Sequence, residues 1–372
     1  MRSFDLKSIL IFIKYFYNKI ISLFYFIFGY KKLKKFNNIE RILFFKVGSM
    51  GDNIITLPAI ASIKEQYPNI KITMLTNAGG ENLVSIESLI DKSYIEEFID
   101  YTGKSKLDMI KMLKNKKYDL IIDLTQPSSL LRTMRNMIVF RFLGIDKAIG
   151  WNISELSFFR KKQDDFNMVG SELQKYLSYL EDYSIKTKRK FILNITQKEI
   201  SKIDNIINKH GLKDKKLIAI VVGSKRVTNR WLIEYFDETI KYILNNTDYI
   251  PIIIGGKEDN KLVEKLSYNK YNFCGELTPL ESAELFKRCK LTISNDTGPM
   301  HLSYAVDTKV IAIFSARDFK DKWYPPKELG VVLRDNNIEC RLCYAEKCEH
   351  LSCLKNIKPN EVIERISKEL KI

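Results

Sequence analysis

From residue 41 onward, short apolar runs alternate with longer amphipathic stretches. The runs at 42–47, 70–75, 94–99 and 118–124 read as strands. Between them, 53–66, 106–114 and 129–142 space their apolar residues three and four apart, as helices do. Alternation of this kind predicts parallel βα units. A helical stretch at 170–183 follows, then a polar, Lys-rich segment at 184–190 that is expected to link two domains. The alternation restarts with strands at 217–222, 250–254, 291–294 and 310–314 and helices at 231–244, 258–266, 279–287 and 298–305. Each half opens in the same way: Val47-Gly48-Ser49 and Val222-Gly223-Ser224 each end a strand with a Gly-Ser turn. The reading is an α/β fold of two Rossmann-like domains, 37–184 and 185–358, facing across a cleft. Ligands are expected at the carboxyl ends of the strands. A final amphipathic helix at 359–370 is expected to pack back towards the first domain.

The N-terminal 36 residues have a different pattern. Residues 4–30 are aliphatic and aromatic, interrupted by Lys7, Lys14 and Lys19, and the longest uncharged run is 11 residues. A spanning helix needs about 20. On a helical wheel Lys7, Ser8, Lys14, Asn18, Lys19, Ser22 and Gly29 share an arc of about 140°. This predicts an amphipathic helix lying in a membrane interface, with Lys31, Lys32, Lys34 and Lys35 directed at an anionic leaflet. The alternative is a helix packed on its own domain.

Composition narrows the partners. The chain of 372 residues suits two domains, and its net charge of +16 calls for an anionic partner. Nucleic acid is not expected, because no zinc-finger spacing, helix-turn-helix or aromatic ribonucleoprotein motif is present. No small-residue cleavage site follows the apolar segment, so a cytoplasmic protein attached peripherally to the inner membrane is expected, with its six cysteines reduced.

Three turns carry the chemistry. In Lys46-Val47-Gly48-Ser49-Met50-Gly51-Asp52 two glycines let the backbone turn sharply. Asp52 reads either as a helix N-cap or as a carboxylate able to take a proton from an attacking hydroxyl. Asn295-Asp296-Thr297-Gly298-Pro299-Met300-His301-Leu302 opens a helix after a strand, and its free N–H groups suit a diphosphate. His301 reads as a further donor to the ligand or as a core histidine. Gly223-Ser224-Lys225, continuing to Asn229-Arg230-Trp231, sets Lys225, Arg226 and Arg230 where a pyrophosphate could meet them, or forms an exposed basic loop. Gly255-Gly256-Lys257-Glu258 is a fourth turn of this type. Neither a Walker loop nor a full G-x-G-x-x-G is present.

Together these motifs resemble glycosyltransferase family 9, the lipopolysaccharide heptosyltransferases, over about residues 40–370. The specific parts are Ser49-Met50-Gly51-Asp52 with Leu57-Pro58-Ala59, and Asp296-Thr297-Gly298-Pro299-Met300-His301-Leu302. Gly255-Gly256 and Trp323-Tyr324-Pro325 also fit the pattern. The resemblance implies a GT-B fold and an inverting, metal-independent transfer without a cofactor. It implies an ADP-heptose-type donor and a glycolipid or glycan acceptor. By analogy Asp52 is the general base, with Lys46, Ser49 and Gly51 at the acceptor. Asp296, Thr297, Gly298 and His301 hold the donor, aided by Ser224, Lys225, Arg230 and Glu258. One position departs: where the family places Lys two residues before the tryptophan, this chain has Asn229.

Several questions stay open at this level. Cys340, Cys343, Cys348 and Cys353, with His350 among them, read either as a structural metal site or as free or redox-active thiols. The same machinery could also take another nucleotide sugar for capsule or protein glycan. A silent binding module or a Rossmann oxidoreductase is the alternative from another class. Arg132 and Arg135 read as acceptor-phosphate contacts or as ordinary exposed helix residues.

Overall fold

The computed structural model describes residues 5–77, 86–125 and 129–372. The chain divides into two compact units, Met1–Ile192 and Leu193–Ile372. Residue 4, where the apolar N-terminal segment begins, lies outside the described residues.

The first unit begins with helix α1 (Leu6–Ile27), N-capped by Asp5, which accepts from the Ser8 amide. The order then runs β1 (Arg41–Val47), α2 (Met50–Ile54), α3 (Leu57–Gln66), β2 (Lys71–Asn77), β3 (Glu97–Asp100), α4 (Lys106–Leu113), β4 (Leu120–Asp123), α5 (Leu130–Phe142), β5 (Ala148–Ile149), α6 (Arg160–Asp165) and α7 (Glu172–Glu181). The strands form one parallel sheet in the order β3-β2-β1-β4-β5. Strand order reverses between β1 and β4, which opens a crevice at their carboxyl ends.

The second unit contains α8 (Gln197–Lys209), β6 (Lys216–Val221), α9 (Ile233–Asn246), β7 (Tyr249–Ile253), α10 (Asn260–Val263), α11 (Pro279–Lys287), β8 (Cys289–Asn295), α12 (Gly298–Ala305), β9 (Lys309–Phe314), β10 (Gly330–Arg334), α13 (Ser352–Lys355) and α14 (Pro359–Leu370). Its parallel sheet runs β10-β9-β8-β6-β7, so its reversal lies between β6 and β8. The buried strands are continuous apolar runs, as in a sheet covered on both faces.

Several expectations are corrected. The helix expected at 53–66 is two helices. Pro58 has no N–H to give the Ile54 carbonyl, so the chain breaks at Ile55 and restarts with Thr56 as N-cap. The helix expected at 258–266 shrinks to the single turn of α10 after a 3₁₀ turn at Lys257–Asp259. Helix α8 was missed despite its capping box of Thr196 and Glu199, as were the short strands β5 and β10. The Lys-rich segment at 184–190 is a strap on the first unit. Its Lys188 amide donates to Ser62, its Lys186 carbonyl accepts from Gln66, and Lys190 pairs with Glu65 at 2.8 Å. The first unit therefore runs to Ile192. The terminal helix α14 sinks Val362 and Ile366 into the second unit's own core beside Ile240 and Ile243 of α9.

Helix α1 is long and apolar enough, by length and composition, to cross a membrane. Yet Leu10 and Ile21 are buried in the first unit's core with Phe140 and Trp151. Its opposite face leaves Phe12, Phe16, Leu23 and Phe26 exposed, Phe26 at 82%. The packed-helix reading thus holds for one face only.

Candidate active site

At the reversal of the first sheet, β1 runs straight into the Gly48 turn. Gly48 sits at φ 154°, and a Cβ there would come within 2.6 Å of the Asp52 Cβ. Only glycine lets the turn close over that side chain. Buried Asn53 holds the turn from beneath by donating to the Gly48 and Ser49 carbonyls at 2.9 and 3.0 Å. Ser49, not Asp52, is the N-cap of α2. Asp52 is the third helical residue, and its Oδ2 accepts from the Ser49 amide at 2.8 Å and the Ser49 hydroxyl at 2.7 Å. This half of a capping box fixes the carboxylate's direction while leaving it half-buried.

The three residues assigned to the acceptor divide. Ser49 is half-buried beside Asp52, whereas Gly51 is buried inside α2. Lys46 is only 2% exposed. Its ammonium donates to the Leu124 carbonyl at 3.1 Å and the Tyr176 hydroxyl at 2.7 Å, and that hydroxyl donates in turn to Leu124 at 3.1 Å. Lys46 therefore ties β1, the end of β4 and α7 together and is not placed to meet an acceptor. Burial, then the charges of Glu172 and Asp52, push the Tyr176 phenol well above its ordinary value.

The crevice also holds a carboxylate that sequence reasoning missed. Asp123 ends β4 and is buried. It accepts from Thr125 on one oxygen and from Asn136 (3.0 Å) and the Trp151 indole (2.8 Å) on the other. Burial raises its pKa from 3.8, and these bonds act against that rise. Trp151 is packed edge-on by Tyr30, just beyond α1, at 5.0 Å. The only signal in sequence was an acid closing an apolar strand. Arg132 and Arg135 are exposed on α5, and both lie close enough to Tyr101 to act on its hydroxyl, which burial pushes up to about 12.

In the second unit the turns after β6 and β8 meet. The Ser224 hydroxyl donates to the Asp296 carbonyl at 3.2 Å, and the Arg230 guanidinium to the Ser224 carbonyl at 2.7 Å. Asn229 is buried. It donates to the Asp296 carboxylate at 2.9 Å and accepts from Ser315 at 2.8 Å. Asn295, fully buried, accepts from the Trp231 amide and donates to the Val222 carbonyl, both at 2.8 Å, and so stitches β8 to the end of β6. Neither asparagine was predicted as a site residue. Thr297 is the N-cap of α12, and its side chain makes no capping bond to the helix. Gly298 is the first helical residue, half-buried, so the backbone N–H groups of that end lie beside Ser224 and Asp296.

Three donor assignments change in detail. His301 is buried with its Nδ1 2.6 Å from the Tyr304 hydroxyl, as the core reading expected. Glu258 is exposed, and its neighbour Asp259 turns inward to accept from the Gly256 amide at 2.9 Å. A Cβ on Gly223 would lie 2.0 Å from the Asp259 carboxylate, so that glycine is required by close approach. Burial raises the Asp259 carboxyl above its ordinary value. Lys225 is exposed at the head of the turn.

None of the cysteines at 340, 343, 348 and 353 is in a disulfide. Among the described residues no group of three or more His, Cys, Asp or Glu side chains is already gathered to hold a metal ion.

Comparison with known proteins bears on the family and the fold. The model of glycosyltransferase family 9 (heptosyltransferase) matches residues 107–354. Lipooligosaccharide heptosyltransferase 2 of Campylobacter jejuni is 26% identical over 338 residues, spanning 86% of this chain and 96% of that one. Among solved structures, a family 9 glycosyltransferase from Veillonella parvula superposes with a TM-score of 0.66 at 19% identity, covering 89% of this chain and 97% of that one. The Escherichia coli ADP-heptose lps heptosyltransferase II gives 0.60 at 19%, covering 89% and 98%.

Proposed function

Because the chain belongs to glycosyltransferase family 9, we propose that it transfers a heptose, or a closely related sugar, from an ADP-linked donor to a lipopolysaccharide- or lipooligosaccharide-type acceptor. That it is a glycosyltransferase follows from the family. The observation that carries the finer reading is the meeting of the β6 and β8 turns at the reversal of the second sheet, with the α12 N-terminus and Arg230 beside them.

In this reading the donor diphosphate lies against Ser224, Thr297 and Gly298, with Lys225 and Arg230 as cations. Charge growing on the departing ADP is met by those cations and by N–H groups fixed before the reaction begins. Asp52 takes the proton from the acceptor hydroxyl as that oxygen attacks the anomeric carbon. ADP leaves from the opposite side, and the configuration inverts in a single displacement. Ser49 keeps the carboxylate aimed. The exposed aromatic face of α1 and the lysines after it hold the enzyme on the cytoplasmic face of the inner membrane, where a glycolipid acceptor is carried.

A second reading, transfer from a different nucleotide sugar, is favoured by Asn229. A neutral amide occupies the position where the family usually has lysine, and it is spent on Asp296 and Ser315. A thermal-shift panel of nucleoside diphosphates and their sugars separates the two without an acceptor. Ligand at 100 times its Kd adds about 2.7 kcal/mol of stability. Selective stabilisation by ADP and ADP-heptose supports heptosyl transfer. Selectivity for UDP, GDP or CMP keeps the mechanism and replaces the sugar.

A further inference from the structure

Helix α7 uses two of its faces. Tyr176 points inward, to Lys46 and to the Leu124 carbonyl at the floor of the first crevice. Gln174, Lys175 and Tyr179 line one wall of a cavity of about 370 Å³. The rest of the wall is Lys14 and Asn18 of α1 and residues 152–154, which follow Trp151. All of these lie in the first unit. A cleft that holds a small ligand typically encloses about 300–1,000 Å³, so one sugar-sized group fits here.

The walls are already fixed. The Ile153 amide donates to the Asn18 side chain at 2.9 Å, the Lys14 ammonium to the Met168 carbonyl at 3.2 Å, and the Lys175 ammonium to Ser154 at 3.4 Å. Hydrogen-bonding capacity is nonetheless left over. Among the described residues the side chains of Asn152, Gln174 and Tyr179 bond to no protein group. Charge is left over as well. Lys175 is answered by Glu172 at 2.5 Å, but among the described residues no carboxylate stands within ion-pair distance of Lys14. Burial, then the charge of Lys175, hold the Lys14 ammonium below the ordinary lysine value, while Glu155 acts the other way from farther off. An ammonium has three donors, and this one has a single carbonyl partner. An anion entering the cavity would gain a charge-assisted hydrogen bond from it.

We propose that this cavity binds an acidic sugar unit, one carrying a carboxylate or a phosphate, within the membrane-borne glycan acceptor. Lys14 meets the acid. Asn152, Gln174 and Tyr179 meet the ring hydroxyls, since amides and phenols both donate and accept. Two placements favour the acceptor as the source of that unit. Lys14 stands one turn after buried Leu10 and beside exposed Ile11 and Tyr15, so the cavity begins at the margin of the apolar face that α1 leaves uncovered. On the inner side of α7, Tyr176 reaches Leu124, the residue after Asp123. A helix is about 10 Å across, so the cavity stands about that far from the crevice floor. A glycan rooted in the bilayer thus has a holding point between its lipid and the hydroxyl that Asp52 is to deprotonate. Contacts remote from the reacting atoms orient a substrate without entering the chemistry. The identity of the ligand as acceptor rests on the transferase reading above, whereas the site for an acidic sugar does not.

The test is calorimetric titration of the full chain with glucuronate and with glucose 6-phosphate, set against glucose, which lacks the acid, and acetate, which lacks the ring. At least one acidic sugar should bind in the millimolar range, several-fold more tightly than glucose or acetate. Lys14→Gln should weaken that binding several-fold. Gln174→Ala removes an exposed side chain that bonds to no protein group, so it leaves folding intact and should weaken binding too. Acidic sugars that bind no better than glucose and acetate, or binding that neither variant weakens, overturn the site. If the acidic sugars fail while Lys14→Gln lowers co-sedimentation with phosphatidylglycerol vesicles, the cavity belongs to a lipid headgroup and the sugar proposal falls. Acidic-sugar binding by a chain that no nucleotide or nucleotide sugar stabilises would keep the site and overturn the transferase reading, so the two failures are told apart.

Discussion

The two units solve one problem with different chemistry. Each ends its leading strand in a Gly-Ser turn at the point where strand order reverses, but the first sheet runs β3-β2-β1-β4-β5 and the second β10-β9-β8-β6-β7. In the first unit a buried cation closes the crevice floor, Lys46 bridging to Leu124 and Tyr176. In the second a neutral amide does so, Asn295 bridging Val222 and Trp231. The carboxylates follow the same division. Asp52 is held by its own N-cap and stays half-buried, whereas Asp259 is drawn in against Gly223 and Asp296 is engaged by Asn229. On the proposed mechanism the first site keeps open the carboxylate that is to take a proton, and the second presents amides and cations, because a free carboxylate facing phosphate would repel it. The terminal helices differ as well: α14 buries its apolar stripe, and α1 leaves one apolar face uncovered.

The largest effect that tests this contrast is on turnover. Asp52→Ala should lower kcat by about 10²–10⁴ and leave ADP affinity unchanged in calorimetry. Loss of ADP binding in this variant would show that the two turns do not divide the labour. Next in size is Leu10→Ala on the buried face of α1, which should cost about 2–5 kcal/mol in urea unfolding, since the side chain is fully buried. A cost near zero would make α1 an appendage and not part of the first core. Asn295→Ala should cost about 1–3 kcal/mol by leaving the Trp231 amide and the Val222 carbonyl without their partner, and should weaken ADP binding with little change in the first unit.

On the other face of α1, Phe12→Ser with Phe26→Ser should change folding stability by no more than about 0.5 kcal/mol per site, because both are exposed. Co-sedimentation with anionic phospholipid vesicles should nevertheless fall several-fold. Retained sedimentation would assign the exposed face to another partner. The smallest effect concerns Asp123. Its folded-state pKa is raised above 3.8, so its contribution to stability is complete below that value and declines as pH rises through the folded value. The difference in unfolding midpoint between wild type and Asp123→Asn should therefore change with pH from 3.8 up to the folded-state pKa and be flat above it. A pH-independent difference would show that the hydrogen bonds to Thr125, Asn136 and Trp151 cancel the effect of burial.

The sequence by itself determined the βα alternation, the two-unit organisation, the doubled Gly-Ser turns and the family. These depend on local periodicity and on short contiguous motifs, which a chain carries whatever its tertiary contacts. The turns that carry Asp52, Ser224, Thr297 and Gly298 were legible for the same reason: their geometry is written within a few residues. Tertiary structure decided the rest. Lys46 and Tyr176 are 130 residues apart, Asn295 and Trp231 are 64 apart, and Asp123 and Trp151 are 28 apart. No local pattern marks a lysine as buried or an asparagine as a stitch, because burial depends on which strand becomes the neighbour. The same reason explains why Glu258, not Asp259, was chosen from the sequence. The two differ by one residue, and only the close approach of Gly223 shows which acid turns inward. For α1 the apolar pattern called for a single partner, and packing divided that face between the protein core and the outside.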